Sequence, residues 1–433
     1  MRRNIYILFA VVLVITAGVT LYIFFGRDTS SPGTLTSNPS SNPFGVAASR
    51  FISQFVTDSP YQDGSTTTQQ ISIEDNFPML KIWPNPVAGY QFVDYQYLLG
   101  ATSTTASGTP ITRQERATST SLMFIDRTTG YVYGYDTLTQ NIDQITNTLM
   151  PGVFDAYIYR DGRRALVRSY DTSTGDTIST LIDIPRVAPG RDPLPVEGNS
   201  SLPNNISSVD MSPDGTLISY IVPNTTGSSL YTISLDKKIT RTDIPLSEWN
   251  ISYAGKTPLL VSKPSAYVEG VVLDAQTSAR TLAQKTGLMI SPSTKNTLYL
   301  ASMWSRSGLA TFYFDVRTGE TKVLSIRTLA DKCVWETSAL FTVCGVPEKL
   351  STPVEGLPDD WYQGRTSFSD SLTIVSVAEG ASTFTFNIGQ ELGQPIDMEN
   401  LLLDTNDTLL AFTNKKDGAL WLVNIPRLIS LED

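Results

Sequence analysis

Short apolar runs, each closed by a small polar residue and a turn, recur along most of this chain. They read Leu122-Met-Phe-Ile-Asp126, Thr180-Leu-Ile-Asp183, Leu230-Tyr-Thr-Ile-Ser234, Val271-Val-Leu-Asp274, Thr311-Phe-Tyr-Phe-Asp315, Leu372-Thr-Ile-Val-Ser376 and Leu420-Trp-Leu-Val-Asn424. Their ends lie about 40–60 residues apart, the length of a four-stranded unit with its loops. A second element precedes a strand in several units: Arg160-Asp-Gly-Arg163, Ser212-Pro-Asp-Gly-Thr216, Ser291-Pro-Ser293 and Asp404-Thr-Asn-Asp407. The clearest unit is Val209 to Val222 followed by Leu230 to Ser234, read as strand, turn, strand, loop, strand. Gly130 in Arg127-Thr-Thr-Gly130 stands where a tight turn needs positive φ. Alternation such as Tyr131-Val-Tyr-Gly-Tyr135 continues the strand pattern, and no long helical period follows residue 60.

These spacings predict an all-β chain folded as a β-propeller, with seven blades and the first near Ile82 to Ile145. Six or eight blades also fit, because the stretches 101–120 and 186–203 read as loops that blur the count. A ring leaves no open sheet edge only if its ends meet. Either Thr68 to Ile73 or Met79 to Trp83 is placed to complete the last blade beside Leu420 to Ile425.

The first residues follow a different pattern. Ile5 to Phe25 carries no charge over 21 residues, enough helix to cross a bilayer core of roughly 30 Å. Arg2 and Arg3 precede it, and Arg27 and Asp28 cancel one another. The positive-inside rule keeps residues 1–4 in the cytoplasm and sends the rest outward. A cleaved signal peptide is the competing reading, but its apolar part is shorter and ends in small residues, not in Leu21-Tyr-Ile-Phe-Phe25. Residues 26–70 are rich in Ser, Thr and Pro and read as a linker, interrupted by an apolar patch from Phe44 to Phe55. The propeller is assigned to 71–433.

Composition narrows the chemistry. The net charge of -10 opposes binding to phosphate backbones, and Lys and Arg are scattered, so no nucleic-acid partner is expected. The chain has no histidine. Ser-His-Asp and Cys-His nucleophiles and His-ligated zinc are thereby excluded. Proton transfer at neutral pH would fall to a carboxylate, Lys or Tyr with a shifted pKa. No phosphate-binding glycine loop, metal site or cofactor site is read from the motifs. The acidic turns Asp171 to Asp176 and Asp404 to Asp407 lack the spacing of a calcium loop and read as β-turns, as does Asp214. Four Asn-x-Ser/Thr sequons (Asn199, Asn205, Asn224, Asn406) mark surface loops.

The Ser212-Pro-Asp-Gly-Thr216 turn, with Leu217-Ile-Ser-Tyr220 and Leu230-Tyr-Thr-Ile233, resembles the WD40-like repeat of TolB-type β-propellers. Pro86-Val-Ala-Gly89, Lys332-Cys-Val-Trp335 and Leu357-Pro-Asp-Asp-Trp-Tyr-Gln-Gly364 look like segments of uncharacterised membrane-anchored bacterial propellers. The resemblance spans roughly residues 80–428. It implies the fold, a surface location and a binding role, and no catalytic residues.

Two places stand out against the repeat. Cys333 and Cys344 are the only cysteines, and a hairpin centred on Ser338-Ala339 sets them opposite one another. A disulfide suits an oxidising compartment; a redox-active pair and two reduced buried thiols are the alternatives. Asp359-Asp360-Trp361-Tyr362-Gln363-Gly364 is the richest polar and aromatic cluster. It is a candidate interaction loop, Trp361 and Tyr362 being equally suited to plain packing. In an extended strand Asp359 and Asp360 point to opposite sides, which removes them as a glycosidase pair.

The expected protein is therefore a single-pass, N-in membrane protein displaying a propeller outside the membrane. It would act as a binding scaffold at the cell envelope, for a protein or a cell-envelope glycan. A carbohydrate-active enzyme using channel carboxylates and a structural subunit of an envelope complex are the alternatives. The enzyme would bring several Asp or Glu side chains together in the channel with raised pKa values.

Overall fold

The computed structural model describes residues 78–430 apart from 105–109, 247, 296, 306–307 and 351–355. The expectations for residues 1–4, 5–25 and 26–70, and the closing strand at 68–73, lie outside the described residues. Among the described residues no helix is long and apolar enough to cross a membrane.

Seven four-stranded antiparallel sheets form a seven-bladed propeller. Blades 1 to 6 occupy residues 87–144, 153–201, 208–244, 249–286, 289–323 and 333–386. Blade 7 takes three strands from 398–424 and its fourth from Met79–Trp83, on the far side of Leu420–Asn424. The register is Met79 opposite Val423, Leu80 opposite Leu422 and Lys81 opposite Trp421. This is the second of the two closing strands predicted.

Alternation decides what each strand buries. Met79 and Ile82 are each 1% exposed, and Met79 packs with Trp421 and Val423. Trp83 turns to the neighbouring blade. Its ring lies 5.3 Å from Phe124 and 4.6 Å from Tyr133, and its Nε1 donates to Asp126 at 3.0 Å. The closing strand thus ties blade 7 to blade 1. Elsewhere the core sits between blades: Met123 and Ile125 pack with Ile158 and Val167, and Leu300 and Tyr313 with Trp335 and Cys344.

The recurring apolar runs are the third strands of blades 2 to 7. In blade 1 the run Leu122–Asp126 is the second strand instead, and Val132–Asp136 is the third. Both strands end in an Asp that opens the same turn. Asp126 accepts the Thr129 N–H at 2.9 Å, and Asp136 accepts the Thr139 N–H at 2.8 Å. Periodicity alone cannot separate two strands that end alike. The stretch 101–120, read as a loop, is largely strand: Val87–Thr104 pairs with Pro110–Asp126 along its length. Only Ser121 to Ile125 of the second strand pairs onward to the third.

The turns at 160–163, 212–216 and 404–407 join the first strand of a blade to the second, and Ser291-Pro-Ser293 ends the first strand of blade 5 and enters the same connection. In blade 3, Asp214 accepts from the Ser212 hydroxyl at 2.6 Å and the Thr216 N–H at 3.1 Å. Gly215 has φ +65°, and a Cβ there would stand 2.6 Å from Arg160 Cβ of the preceding blade. A side chain is thus barred twice, by conformation and by contact.

Candidate functional site

The first strands of the blades ring the central channel. Val153–Ile158, Ser208–Met211 and Trp249–Ala254 each carry polar residues at alternate positions: Asp155 and Tyr157, Ser208 and Asp210, Asn250 and Ser252. One end of the channel opens as a cavity of about 400 Å³ lined by Tyr157, Arg168, Asp210, Asn250, Asp331 and Tyr362 among others. It lies toward the start of the first strands, because Ser208 and Met289 begin theirs and Asn250 is second in its own.

Two carboxyls, Asp210 and Asp331, line this cavity, a third, Asp155, stands behind it on Arg168, and all three are shifted upward. Burial pushes Asp210 up to about 7, and the like charges of Asp331 and Asp155 add to it, against the Met211 N–H that it accepts at 2.8 Å. Burial also raises Asp155, although Arg168 binds it at 2.9 Å. Burial raises Asp331, with the Tyr362 hydroxyl donating to it in opposition. Asp331 is open to channel water, yet protein surrounds it closely. Confinement, and not loss of all water, is the physical cause. Tyr157 and Tyr362 are both pushed well above 10 by burial and by these neighbouring carboxylates. Among the described residues no three acidic or cysteine side chains are grouped to hold a metal ion.

Asp210 carries a pH dependence with a definite sign. Its carboxyl is near 3.8 when unfolded and about 7 when folded, so the folded chain holds the extra proton between those values. Stability from this group falls as pH rises from about 4 to 7 and then levels off. Asp210→Asn keeps an oxygen for the Met211 N–H. The variant is expected to gain about 1–2 kcal/mol over the parent by pH 8 and progressively less toward pH 5, the figure being reduced for channel water. Urea melts across pH 5–8.5 check it; a gain that does not change with pH counts against the assignment.

The Asp359 to Gly364 segment lies beside this opening, between the second and third strands of blade 6. Asp359–Tyr362 is one helical turn, α1, not an extended stretch, preceded by a cis Leu357–Pro358 bond. Most of its polar groups are engaged within the protein. Asp359 accepts the Ala266 N–H at 2.6 Å from a loop of blade 4. Asp360 accepts from Arg365 Nε at 2.8 Å. Trp361 is buried and its Nε1 donates to Asp397 at 3.1 Å. Tyr362 remains 42% exposed, with its hydroxyl on Asp331. Of the four, Tyr362 alone presents a large free face to the channel opening.

Beneath α1 lies a charged cluster that the sequence reading did not pick out. Lys332, Asp370 and Asp397 are each 0% exposed. Lys332 Nζ is 2.7 Å from Asp370 and also binds Asp397. Burial raises Asp370 to about 6, against the pull of the Lys332 charge. Burial acts the same way on Asp397, but Lys332, the Phe368 N–H and Trp361 together outweigh it and hold that carboxyl low.

Cys333 and Cys344 face one another on adjacent strands of blade 6, their sulfurs joined at 2.08 Å. The ladder ends at Trp335–Thr342, so the connection is longer than two residues. The six residues 336–341 share their centre with a two-residue loop at Ser338-Ala339, and the cysteine register is unchanged. Asp171 accepts from Ser173 and Asp404 from Thr408 within their own turns.

Asp155, Asp210 and Asp331 were missed because each stands alone in sequence. The one available signal was an acid at alternate spacing within a first strand, as in Ser208-Val-Asp-Met211.

No protein-family model matches the chain, and no curated protein matches it. Among solved structures it is similar to Kuenenia stuttgartiensis hydrazine synthase, at 14% identity and a TM-score of 0.43, over 66% of this chain and 80% of that one. A likeness at that level carries no inference about chemistry.

Proposed function

We propose that this chain is a membrane-anchored, extracytoplasmic propeller that binds its ligand at the channel opening. The carrying observation is the convergence of Asp210 and Asp331 with Tyr157, Tyr362 and Arg168 around one cavity, Asp155 standing behind its wall on Arg168. A concave site with a few converging polar groups is where a ring of blades presents a composite surface. The uncharged stretch 5–25 supplies the anchor, with residues 1–4 cytoplasmic and 26–70 as the spacer. The WD40-like resemblance around Ser212 to Thr216 supports a TolB-type binding role, with a protein or an envelope glycan as partner.

A second reading is a carbohydrate-active enzyme using the same carboxyls, and their grouping with raised pKa values is the pattern expected of it from the sequence. Hydrolysis with two acids needs environments that drive their pKa values apart. Here Asp155, Asp210 and Asp331 all move upward. Among the described residues no carboxyl beside them is shifted downward to serve as nucleophile or base, which favours binding. Full-length protein in mild detergent is expected to co-purify a partner from envelope extract, with less recovered from Tyr362→Ala. Release of sugar from envelope glycan without any retained partner would replace this reading by the second.

A further inference from the structure

Lys332 ends the 3-10 turn Ala330–Lys332, just before the first strand of blade 6. Asp397 stands just before Met398–Leu403, the first strand of blade 7. Asp370 begins the third strand of blade 6. The fold brings these three side chains into one site closed to solvent. Rings wall it: Trp361 lies 5.0 Å and Phe368 5.2 Å from Lys332 Nζ.

The two oxygens of Asp397 are treated differently. Oδ1 faces Lys332 Nζ and shares with Oδ2 the Trp361 Nε1–H, which is 3.1 Å from it. Oδ2 accepts from the Phe368 N–H at 3.0 Å, the Ser367 hydroxyl at 2.9 Å and Trp361 Nε1 at 3.2 Å. That is a three-donor pocket of the kind that stabilises an oxyanion at an acyl carbon. Asp370 differs again. Its Oδ2 takes the Met398 N–H at 2.7 Å and meets the amine, while its Oδ1 is buried without a hydrogen-bond partner. An ionised carboxylate half-stripped of partners is costly, so the site favours transfer of a proton from the Lys332 ammonium to Asp370, which then stands as a neutral acid beside a neutral amine.

We propose that Lys332 and Asp397 condense into an intramolecular amide bond, with Asp370 as the catalytic acid that carries the protons. Asp370 takes a proton from the Lys332 ammonium, and the freed amine attacks Asp397 Cγ. Charge gathers on Oδ2, in the three-donor pocket. A C–N bond forms, the Cγ–Oδ1 bond breaks, and Oδ1 leaves as water after receiving the Asp370 proton and a second proton from the amine nitrogen. Ammonium and carboxylate are exchanged for amide and water, with no oxidant, cofactor or nucleotide consumed. Two features drive the reaction in this direction. The partners are held in contact, which replaces a bimolecular encounter by an effective concentration of order 10⁵ M or more. The site is dry, so the buried ion pair gives way to a neutral amide and the water leaves. The product would be a covalent staple between blades 6 and 7, independent of the channel reading above.

The protein as purified decides this. After reduction and digestion, mass spectrometry is expected to find one branched peptide joining the Lys332 and Asp397 segments, lighter by one water than its two parts together. Trypsin should fail to cut after Lys332. In Lys332→Arg and in Asp397→Ala the branched peptide should be absent. Asp370→Ala keeps both reacting groups and should yield mostly the two linear peptides. Folded parent protein that gives only linear peptides, cleaved after Lys332, sinks the proposal. A branch at Asp370 in place of Asp397 overturns the assigned roles.

Discussion

A chain beginning at residue 85 is expected to lose cooperative folding, while one beginning at residue 75 keeps the parent melting temperature. The first removes Met79–Trp83, the outer strand of blade 7, and exposes the far edge of Leu420–Asn424. Met79, Leu80 and Ile82 are 1%, 6% and 1% exposed, and each such side chain contributes about 1.5–3 kcal/mol by burial. Trp83 adds contacts with Phe124 and Tyr133 of blade 1. The total is comparable with the whole stability of an ordinary domain, about 5–15 kcal/mol. The opened ring also offers a bare strand edge to other molecules, so aggregation should accompany the loss. Circular dichroism melts of both truncations check this. An unchanged melt for the chain starting at 85 would remove Met79–Trp83 from its structural role.

The second large effect falls on the buried cluster. Lys332→Met fills the aliphatic volume and removes the nitrogen, whether cation or amide, leaving Asp370 and Asp397 facing one another without exposure. Removing one partner from a buried pair costs about 3–5 kcal/mol, because the remaining charge has no water to turn to. The loss should depend on pH with a definite sign. Without the cation, burial raises both carboxyls, so the variant's folded state holds protons that its unfolded state has released. The deficit should be largest above pH 7 and shrink toward pH 5. Denaturant melts at the two pH values measure it. A deficit of the same size at both would mean that lost packing, not stranded charge, is the cause. The covalent bond proposed for Lys332 and Asp397 is read separately, by mass, and stands or falls on the parent protein.

Much of the architecture was legible in the linear pattern, for a physical reason. A propeller blade is a local object: each strand pairs with its neighbour in sequence, and an apolar run followed by an Asp or Gly turn is enough to mark it. The seven runs ending at residues 126 to 424 each fall in a different blade. The cysteine register was equally local, since a hairpin's pairing follows from its centre. Errors arose where two local signals coincide, as at Asp126 and Asp136, or where strand continues through a polar stretch, as between 101 and 120.

The functional residues behave differently. Asp155, Asp210 and Asp331 belong to blades 2 and 3 and to the start of blade 6, and only closure of the ring sets Asp210 and Asp331 around one cavity with the Arg168 that Asp155 holds. Lys332, Asp370 and Asp397 span 65 residues of chain. Nothing in their sequence neighbours marks them, because each is a single charge at or just before the start of a different strand. Strand, turn and blade number follow from the chain's own periodicity, which reports the two faces of a sheet. Which charges meet, and whether water reaches them, depends on how blades distant in sequence are brought face to face. That is set by the closing strand Met79–Trp83 and by the packing between blades.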